Sequence, residues 1–523
     1  MKASDYIAQF LKMNDVDIVF GLTGAHILHV FDSLDRVGIR IVACNHEQGA
    51  AYAADAYARV SGKVGICVTT SGPGALNAVG GAASAYFDSV PMLFLTGQVV
   101  TGDLRAHSRA PRQLGFQETD VIGVFGPVVK GGKQVRVASD LPDILRRVWI
   151  TATTGRCGPV LLDLPDDMQR AEINESPIPV AGLWPVAEIM FPDAFKLPDS
   201  DLHRIVQLFA KAKQPIIILG AGVRQAQAMK AVMALVKDLG WPVLTTWGGL
   251  DLVAADDPQL IGMFGACGPL AGNMAIQHAD LVLSLGSRLW AHTIGGNPHG
   301  FAPNAVKVVV DIDQNEFDKF KGAFTANGQN GLWLLNSDLN TFCHWIYNQF
   351  PKTAYPDWHA QIARWKKEYP FDTSLPPYDF LANLTPTAPA DAVVVTDAGA
   401  TLCQVMQSWR VKAGQRVLSS FNHSPMGWAI PAALGASLAA PGRRVICITG
   451  DGSFNMNAQE LAIIAGLDLP VTVIVLDNGG YGIIRQTQDT WLEGRHVASR
   501  DGEGLHLPDV AEVCAAYGMQ TLI

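Results

Sequence analysis

Two short polar segments, each directly after an apolar run, carry the residue types of a metal-bound phosphate site. Gly450, Asp451 and Gly452 follow one run, and Asn478 follows the next. Mg²⁺ prefers oxygen ligands and is usually held by one or two protein groups together with phosphate oxygens. The carboxylate of Asp451, the amide oxygen of Asn478 and the backbone carbonyl of Gly480 provide three such ligands, and neighbouring glycines let the backbone approach a phosphate. The pattern predicts a magnesium diphosphate site.

These residues need a rigid scaffold, and the runs around them predict one. Residues 444–449 and 471–476 are predicted strands, and residues 453–466 are a predicted helix whose first amides face the anion. An ordinary strand-to-helix turn with a capping Asp is the alternative interpretation of the first segment. Asn478 at the end of the next strand favours the phosphate site.

Residues 450–456 and 477–482 resemble the signature of thiamine diphosphate (ThDP) enzymes, and the whole chain is similar to their acetohydroxyacid synthase group. The resemblance implies an α/β fold of three consecutive doubly wound parallel-sheet domains. These are a pyrimidine-binding domain (1–175), a middle domain (199–348) and a diphosphate and magnesium domain (376–523), in which the family's closing tail is expected to be absent. The resemblance also implies ThDP contacts at Gly450, Gly452, Ser453 and Tyr481, and Mg²⁺ ligands at Asp451, Asn478 and Gly480.

The bulk properties predict a cytoplasmic multidomain protein and disfavour several other classes. A chain of 523 residues with 49% hydrophobic residues is too long for a single core, so three domains are expected. The net charge of -9 argues against a nucleic-acid or anionic-membrane partner. The first residues lack the apolar region of a signal peptide, and no apolar run reaches the roughly 18 residues of a membrane span. The 8 cysteines contain no Cys-x-x-Cys pair and are interpreted as reduced core residues.

Strand-like runs alternate with helical patterns, which predicts parallel sheets covered by helices. Further predicted strands are residues 41–44, 64–68, 92–95, 160–162, 215–219, 281–285 and 306–311. The proline-rich segment 176–198 is interpreted as a linker, and 351–377 as a second irregular stretch. After a predicted helix at 510–517, residues 519–523 are predicted to begin a strand.

Glu47 opens a predicted helix of small residues that runs to Arg59. Taken alone, an acidic residue in a first helical turn is explained by the helix dipole. In ThDP enzymes a glutamate at this motif position hydrogen-bonds the pyrimidine N1′ and promotes the tautomer that removes the thiazolium C2 proton. The resemblance therefore implies that Glu47 is catalytic, with burial tuning its proton affinity. Because the family's glutamate and diphosphate site come from different subunits, it also implies a homodimer or a dimer of dimers.

Two further segments resemble ThDP contacts. The glycine-rich turn with Ser71, Gly74 and Asn77 resembles the turn beneath the pyrimidine, although a plain turn and helix cap is the alternative. Ser424 and Met426 match the segment whose carbonyl holds the 4′-amino group and whose methionine wedges the cofactor into its bent form. A core methionine before a helix is the alternative interpretation there.

The substrate side resembles the synthases rather than the simple decarboxylases. Phe116, Gln117 and Lys130 match a stretch in which the glutamine and the lysine line the active site of the neighbouring subunit. As isolated residues they would form an ordinary surface segment. The resemblance thus implies catalytic roles for Gln117 and Lys130 and a substrate contact for Phe116.

Glycine-rich turns in the middle domain follow apolar strands, which is typical of pyrophosphate binding, and an acidic residue after a later strand can bind a ribose. These positions resemble the FAD site of the synthases. Some relatives keep this fold but bind ADP or nothing, and that alternative stays open. The candidate FAD residues are Arg156, Gly220, Gly222, Thr246, Arg288 and Asp311.

Departures from the synthase pattern bear on the acceptor. His26 and His423 replace other residue types, and Thr487 stands where the synthases carry a tryptophan. All three are expected to contact the substrate. Loss of a large apolar wall and gain of a hydroxyl favour a bulkier, more polar acceptor. The stretch after Thr487 resembles ThDP enzymes of deoxysugar pathways, notably the flavoenzyme type of yersiniose A biosynthesis.

The resulting expectation is an enzyme that decarboxylates pyruvate and transfers the two-carbon unit to a second carbonyl. The expected acceptor is the keto group of a CDP-linked 4-keto-3,6-dideoxy sugar. One alternative is pyruvate as acceptor, which gives acetolactate. Another is hydrolytic or oxidative chemistry, as in dione hydrolases or pyruvate oxidases. A non-catalytic regulator is disfavoured by the intact Glu47, Asp451 and Asn478.

Overall fold

A computed structural model of the protein describes residues 1–105, 111–176, 199–320 and 331–522. Its strands are β1 (Ile18–Gly21), β2 (Arg40–Ala43), β3 (Gly65–Thr69), β4 (Met92–Gln98), β5 (Gly131–Gln134), β6 (Pro159–Pro165), β7 (Pro215–Leu219), β8 (Val243–Thr245), β9 (Leu260–Met263), β10 (Leu281–Leu285), β11 (Val306–Asp311), β12 (Leu332–Asn336), β13 (Val393–Thr396), β14 (Arg416–Leu418), β15 (Val445–Gly450), β16 (Val471–Leu476), β17 (Arg500–Asp501) and β18 (Gly504–Leu505).

Helices alternate with these strands. The α-helices are Ala3–Met13, Leu28–Arg36, Glu47–Ser61, Pro73–Asn77, Val79–Asp88, Val121–Phe125, Leu141–Thr153, Asp166–Arg170, Asp199–Lys211, Gly222–Gln225, Met229–Leu239, Leu270–His278, Ala291–Ile294, Leu339–Ile346, Pro356–Glu368, Pro376–Leu384, Ala400–Ser408, Ala429–Ala439, Asp451–Asn457, Leu461–Gly466, Gly482–Trp491 and Val510–Ala516. Short 3₁₀ helices are Ala25–Ile27, Thr101–Asp103, Gly126–Val128, Ala138–Asp140, Trp247–Leu252, Pro298–Gly300, Gln314–Phe320, Thr385–Thr387 and Ala458–Glu460.

Three parallel sheets organise the chain. Their orders are β2-β1-β3-β4-β6-β5, β12-β11-β10-β7-β8-β9 and β14-β13-β15-β16, and β17 and β18 form a small separate pair. The middle sheet places its first strand, β7, between its fourth and second, which is the order of a doubly wound nucleotide-binding fold. The predicted fold class of three doubly wound parallel-sheet domains is confirmed.

The chain forms two compact units within the described residues. Of these residues, the first unit contains those before 177 together with 392–402 and 418–522, and the second contains those from 199 to 391 together with 403–417. In the first unit the helices Glu47–Ser61 and Ala429–Ala439 pack closely, and both are rich in buried alanine. Small side chains allow this close approach. The helix that presents Glu47 is therefore anchored along its length.

Gly435 makes that approach possible, and its replacement is expected to destabilise the first unit. A Cβ built at Gly435 would lie 1.9 Å from the backbone oxygen of Ala53. Because a backbone atom cannot move aside cheaply, Gly435→Ala should lower the free energy of unfolding by about 1–3 kcal/mol, the usual range for overpacking. Urea unfolding measures the loss. Gly466→Ala is the matched control, since a Cβ there meets nothing within 4 Å; equal midpoints for both variants would contradict the packing account.

Three local predictions are wrong or incomplete. The segment 351–377 contains the helix Pro356–Glu368, whose Trp358, Ile362 and Trp365 join the core of the second unit. The predicted helix 453–466 is interrupted at Asn457, where φ is -140°, because its side-chain amide donates to the Gly427 carbonyl at 2.8 Å. Residues 519–522 form no strand, since the Met519 amide bonds instead to the Cys514 carbonyl at the end of the preceding helix. Most of the predicted linker, 177–198, lies outside the described residues.

Candidate active site

Glu47 lies at the first position of its helix and is 6% exposed. Its Oε2 accepts a hydrogen bond from the side-chain amide of Asn77 at 3.0 Å. A Cβ at Gly74 would lie 3.1 Å from Oε1, so the glycine leaves the second carboxylate oxygen uncovered on that side. The structure thus brings together Glu47, Gly74 and Asn77, three residues predicted to contact the cofactor's pyrimidine.

The glycine-rich turn beside Glu47 gathers further predicted residues. Ser71 is fully buried, and its hydroxyl is hydrogen-bonded to Nδ1 of His26 at 2.6 Å. Gly72 has a φ of +54°, and a Cβ there would lie 2.6 Å from the Gln117 carbonyl. Gln117 itself has a left-handed φ of +66°, whereas the adjacent Phe116 is 79% exposed. His26, Ser71 and Gln117 therefore belong to one cluster around this turn.

Glu460 supports the same helix from the C-terminal part of the first unit. Its two carboxylate oxygens accept from the backbone amides of Asn45 at 3.2 Å and His46 at 3.1 Å. Burial raises the pKa of Glu460 to about 7. Glu460 was not among the predicted site residues, although a single acidic residue within an apolar run was a signal for a buried role. It positions the two residues directly before Glu47.

Asp451 organises the predicted diphosphate side. It is 2% exposed, its Oδ1 accepts from the Gly452 amide at 2.9 Å, and its Oδ2 accepts from the Gly480 amide at 2.7 Å. Burial raises the pKa of this carboxyl. Asn478 uses its amide oxygen to accept from Arg485 at 3.0 Å. Two of the three predicted metal ligands, Asp451 and Gly480, are thus neighbours.

A close approach explains why residue 452 is glycine. A Cβ there would lie 2.5 Å from a ring carbon of Tyr481 and 3.3 Å from the terminal methyl of Met426. Both side chains were predicted to contact ThDP, and they lie over the Gly452 backbone. Gly450 and the buried Ser453 flank this position, at the end of β15 and in the following helix.

Asp397, which the sequence analysis missed, holds the segment that carries Ser424 and Met426. Its carboxylate accepts from the Gly427 amide at 3.1 Å, the Ala429 amide at 3.3 Å and the Thr449 hydroxyl at 3.0 Å. Burial raises the pKa of Asp397 to about 6. Ser424 adopts a left-handed φ of +50°, a conformation that non-glycine residues rarely hold without such support.

Other predicted substrate residues have partners of their own. The Lys130 ammonium donates to the Thr154 carbonyl at 2.9 Å and to the Thr151 carbonyl, at the C-terminal end of the helix Leu141–Thr153. His423 stacks on Phe87 with ring centroids 5.5 Å apart, and burial lowers its pKa. The structure therefore does not place Lys130 in the Glu47 cluster.

Thr487 also has an intramolecular partner. Its hydroxyl donates to the Ile483 carbonyl one turn earlier, at 2.9 Å. The hydroxyl that was expected to favour a polar acceptor therefore already donates its hydrogen bond within the helix. What distinguishes this position from a tryptophan is its size.

Most of the predicted FAD residues surround the switch point of the middle sheet. Gly220 and Gly222 pack against Gly286, since Cβ atoms there would lie 2.3 Å and 2.7 Å from its backbone. These turns follow β7 and β10, where ligands bind in doubly wound folds. Arg288 lies 3.8 Å from Glu316, and Asp311 accepts from the Asp313 amide. Thr246 follows β8. Its hydroxyl and the charges of Arg288 and Asp311 are the group types that bind a nucleotide.

Arg156 belongs to the first unit, where its Nε donates to the Ser89 hydroxyl at 2.7 Å. This contact gives Arg156 a partner within the N-terminal sheet domain.

The residues present suit ThDP and Mg²⁺. Carboxylate, amide and carbonyl oxygens are the donor types that Mg²⁺ prefers, and Asp451 and Gly480 offer two of them side by side. The bare backbone of Gly452 lies beneath Tyr481 and Met426. For the pyrimidine end of the cofactor, Glu47 is buried and oriented by Asn77.

No helix within the described ranges has both the length and the apolar character of a membrane span.

Comparison with known proteins identifies the family. Three family models of the thiamine pyrophosphate enzymes match the chain; thiamine pyrophosphate (TPP) is another name for ThDP. The N-terminal TPP binding domain matches residues 1–124, the central domain matches 202–328, and the C-terminal TPP binding domain matches 397–523. The chain belongs to the thiamine pyrophosphate enzyme family. Within it, the chain is an acetolactate synthase-like, ThDP-dependent enzyme of the class that forms carbon–carbon bonds.

Relatives that align over nearly the whole chain are acetolactate synthase large subunits. The chain is 34% identical to the acetolactate synthase isozyme 2 large subunit of Escherichia coli K12, over 99% of this chain and 90% of that protein. It is 34% identical to the acetolactate synthase large subunit of Lactococcus lactis, over 99% and 87%, and 33% identical to that of Porphyra purpurea, over 96% and 84%. These relatives favour the acetolactate synthase alternative and do not support the expected nucleotide-sugar acceptor.

Proposed function

We propose that this enzyme decarboxylates pyruvate and joins the two-carbon unit to a second 2-keto acid, with acetolactate as the product when the acceptor is pyruvate. The observation that carries the proposal is the buried Glu47, oriented by Asn77 beside the Gly74 turn. The full-length similarity to acetolactate synthases supports this choice of acceptor over a nucleotide-linked sugar.

ThDP and Mg²⁺ are the proposed cofactors. Asp451, Asn478 and the Gly480 carbonyl would hold Mg²⁺, and Gly450, Gly452, Ser453 and Tyr481 would contact the diphosphate end. Bound ThDP supplies the nucleophilic carbon and the electron sink for decarboxylation. Residues of the chain would supply proton transfer and would position the cofactor and the substrates.

Glu47 is the proposed proton-holding group. A carboxylate that is 6% exposed and already bonded to Asn77 can accept or donate a proton at the pyrimidine nitrogen without a shell of water to reorganise. Ser71, Gly74 and Asn77 would contact the pyrimidine, the Ser424 carbonyl would hold its 4′-amino group, and Met426 would support the bent form of the cofactor. His26 and Gln117 adjoin the same turn and are the proposed contacts for the keto acids.

The proposed active unit is a homodimer, which can pair into a dimer of dimers. Glu47 bonds to Asn77, and Asp451 bonds to Gly452 and Gly480; within the described part of one chain no hydrogen bond joins the two clusters. Apolar side chains near the Glu47 turn are exposed, among them Leu76 at 41% and Phe116 at 79%. A second subunit would cover this surface and bring its own Asp451 cluster to Glu47.

FAD is the proposed third cofactor, held in the middle domain. Gly220, Gly222, Thr246, Arg288 and Asp311 would bind the dinucleotide at the switch point, and Arg156 stays a prediction that rests on the family resemblance alone. Absorbance of the purified protein near the flavin maxima tests this assignment.

An acceptor experiment tests the proposed function. Pyruvate, ThDP and Mg²⁺ are supplied with and without a CDP-linked 4-keto-3,6-dideoxy sugar, and products are followed by mass. We expect acetolactate in both reactions at the same rate. A branched sugar formed faster than acetolactate would overturn the keto-acid acceptor and favour the second candidate, for which the small Thr487 makes room. Acetate without any coupled product would instead favour a hydrolytic or oxidative enzyme.

A further inference from the structure

Two cysteines of the second unit lie next to each other although they are far apart in sequence. Cys267 is in the turn after β9, and Cys403 is on the helix Ala400–Ser408. Their sulfur atoms are 3.3 Å apart. The sequence analysis interpreted all 8 cysteines as core residues, which holds for five of them; Cys157, Cys267 and Cys403 are partly exposed.

The turn that carries Cys267 is fixed from two sides. The side-chain amide of Gln407, one turn after Cys403 on the same helix, donates to the Cys267 carbonyl at 3.1 Å. Gly265 has a φ of +93°, and a Cβ there would lie 2.7 Å from the Thr293 carbonyl. These contacts fix the position of the Cys267 turn relative to the helix that carries Cys403.

A histidine completes the cluster. Nε2 of His292 is 3.9 Å from the Cys267 sulfur, and the imidazole stacks on Trp290 with ring centroids 5.2 Å apart. His292 also lines a cavity of about 350 Å³ together with Gly265 and Ala266, the two residues directly before Cys267.

The electrostatics distinguish the two thiols. The hydrogen bond from Cys403, assisted by His292 and opposed by burial, lowers the pKa of Cys267 to about 6. The same hydrogen bond, with burial, raises the pKa of Cys403. Tyr378 is a further titratable neighbour, and burial together with both cysteines raises its pKa. The lowered pKa favours Cys267 as the thiolate of the pair, and the raised pKa favours Cys403 as the partner that keeps its proton.

We propose that Cys267 and Cys403 form a dithiol site that undergoes exchange with low-molecular-weight disulfides. The Cys267 thiolate attacks one sulfur of the small disulfide, which forms a mixed disulfide and releases one small thiolate. Cys403, after giving its proton to the released small thiolate or to solvent, attacks the Cys267 sulfur and releases the second small thiol. Two protein thiols and one small disulfide become one protein disulfide and two small thiols.

Oxidised glutathione is the probe for this site. The reduced enzyme is incubated with it at neutral pH, quenched with acid, and examined by intact mass and peptide mapping. We expect loss of two hydrogens and a Cys267–Cys403 cross-link, while Cys403→Ser traps one glutathionyl group on Cys267. Cys157→Ser is the matched control and should behave as the unaltered protein. Cys157 is partly exposed, and its partners among the described residues are the backbone carbonyls of Thr153 and Gly155 rather than a second thiol.

A pH series on the unaltered protein gives a readout that does not depend on any variant folding. Modification at Cys267 should be nearly independent of pH above about 7, whereas an ordinary thiol reacts faster up to its pKa of about 8.5. Modification at Cys157 first, a cross-link between any other pair, or a Cys267 rate that climbs steadily to pH 9 would overturn the proposal.

Discussion

Glu47→Gln is expected to reduce kcat for pyruvate turnover by about 10²- to 10⁴-fold, the contribution of a positioned general acid or base. Glutamine has the same shape and can still accept the hydrogen bond from Asn77, so the fold should survive. The proton that the carboxyl group holds at the pyrimidine nitrogen is lost. Steady-state assays measure kcat, and deuterium exchange at C2 of added ThDP measures the proton transfer directly.

Two controls separate this effect from damage to the protein. Glu172→Gln changes a glutamate whose side chain is 77% exposed and should leave kcat unchanged. Thermal unfolding of Glu47→Gln should match that of the unaltered enzyme. Pyruvate turnover within a few-fold of the original rate, with C2 exchange intact, would show that Glu47 does not hold the proton.

Arg59→Met is expected to cause the largest loss of stability. The Arg59 side chain is 9% exposed and donates to Asp55 at 2.8 Å and to Asp88 at 2.8 Å. Asp88 also accepts from the Phe421 amide, so the guanidinium neutralises a carboxylate that joins both sheet domains of the first unit. Removing it leaves two buried carboxylates without their cation, which costs about 3–5 kcal/mol of the free energy of unfolding.

The stability loss should depend on pH. Burial raises the pKa of Asp55, and Arg59 opposes that shift, so the variant's folded-state pKa is higher still. A carboxyl with a raised folded pKa stabilises the folded state when protonated and loses that contribution as pH rises through the folded pKa. The deficit should therefore be smaller at pH 5 than at pH 8 in urea unfolding.

Arg36→Met is the matched control. Arg36 pairs with Asp32, and the two side chains are 61% and 49% exposed. Removing such a surface pair changes stability by at most about 1 kcal/mol. If Arg59→Met unfolds at the same urea concentration as Arg36→Met, the buried network does not stabilise the first unit.

Sequence reasoning succeeded where the signal is local. The apolar runs that became β15 and β16, and the polar residues after them, all lie between residues 445 and 480. The structure brings Asp451 and Gly480 into contact across a separation of 29 residues. Glycine positions were also informative, because a motif glycine marks a close approach such as that of Tyr481 to Gly452.

The supporting residues could not be predicted because their partners lie far away in sequence. Glu460 bonds to Asn45 across 415 residues, and Asp88 bonds to Phe421 across 333. Neither contact leaves a periodicity or motif that a single sequence can display. The helix Pro356–Glu368 was missed for a different reason, since flanking prolines concealed the helical spacing of Trp358, Ile362 and Trp365.

Nuclear magnetic resonance with carbon-13-labelled pyruvate tests the proposed reaction most directly. The purified protein is supplied with ThDP, Mg²⁺ and pyruvate labelled at C1 and C2, and the fate of these two carbons is followed. The proposed function predicts acetolactate with label from two pyruvate molecules, together with one labelled carbon dioxide for each product. Release of acetate or acetaldehyde with no coupled product, or no consumption of pyruvate, would contradict it.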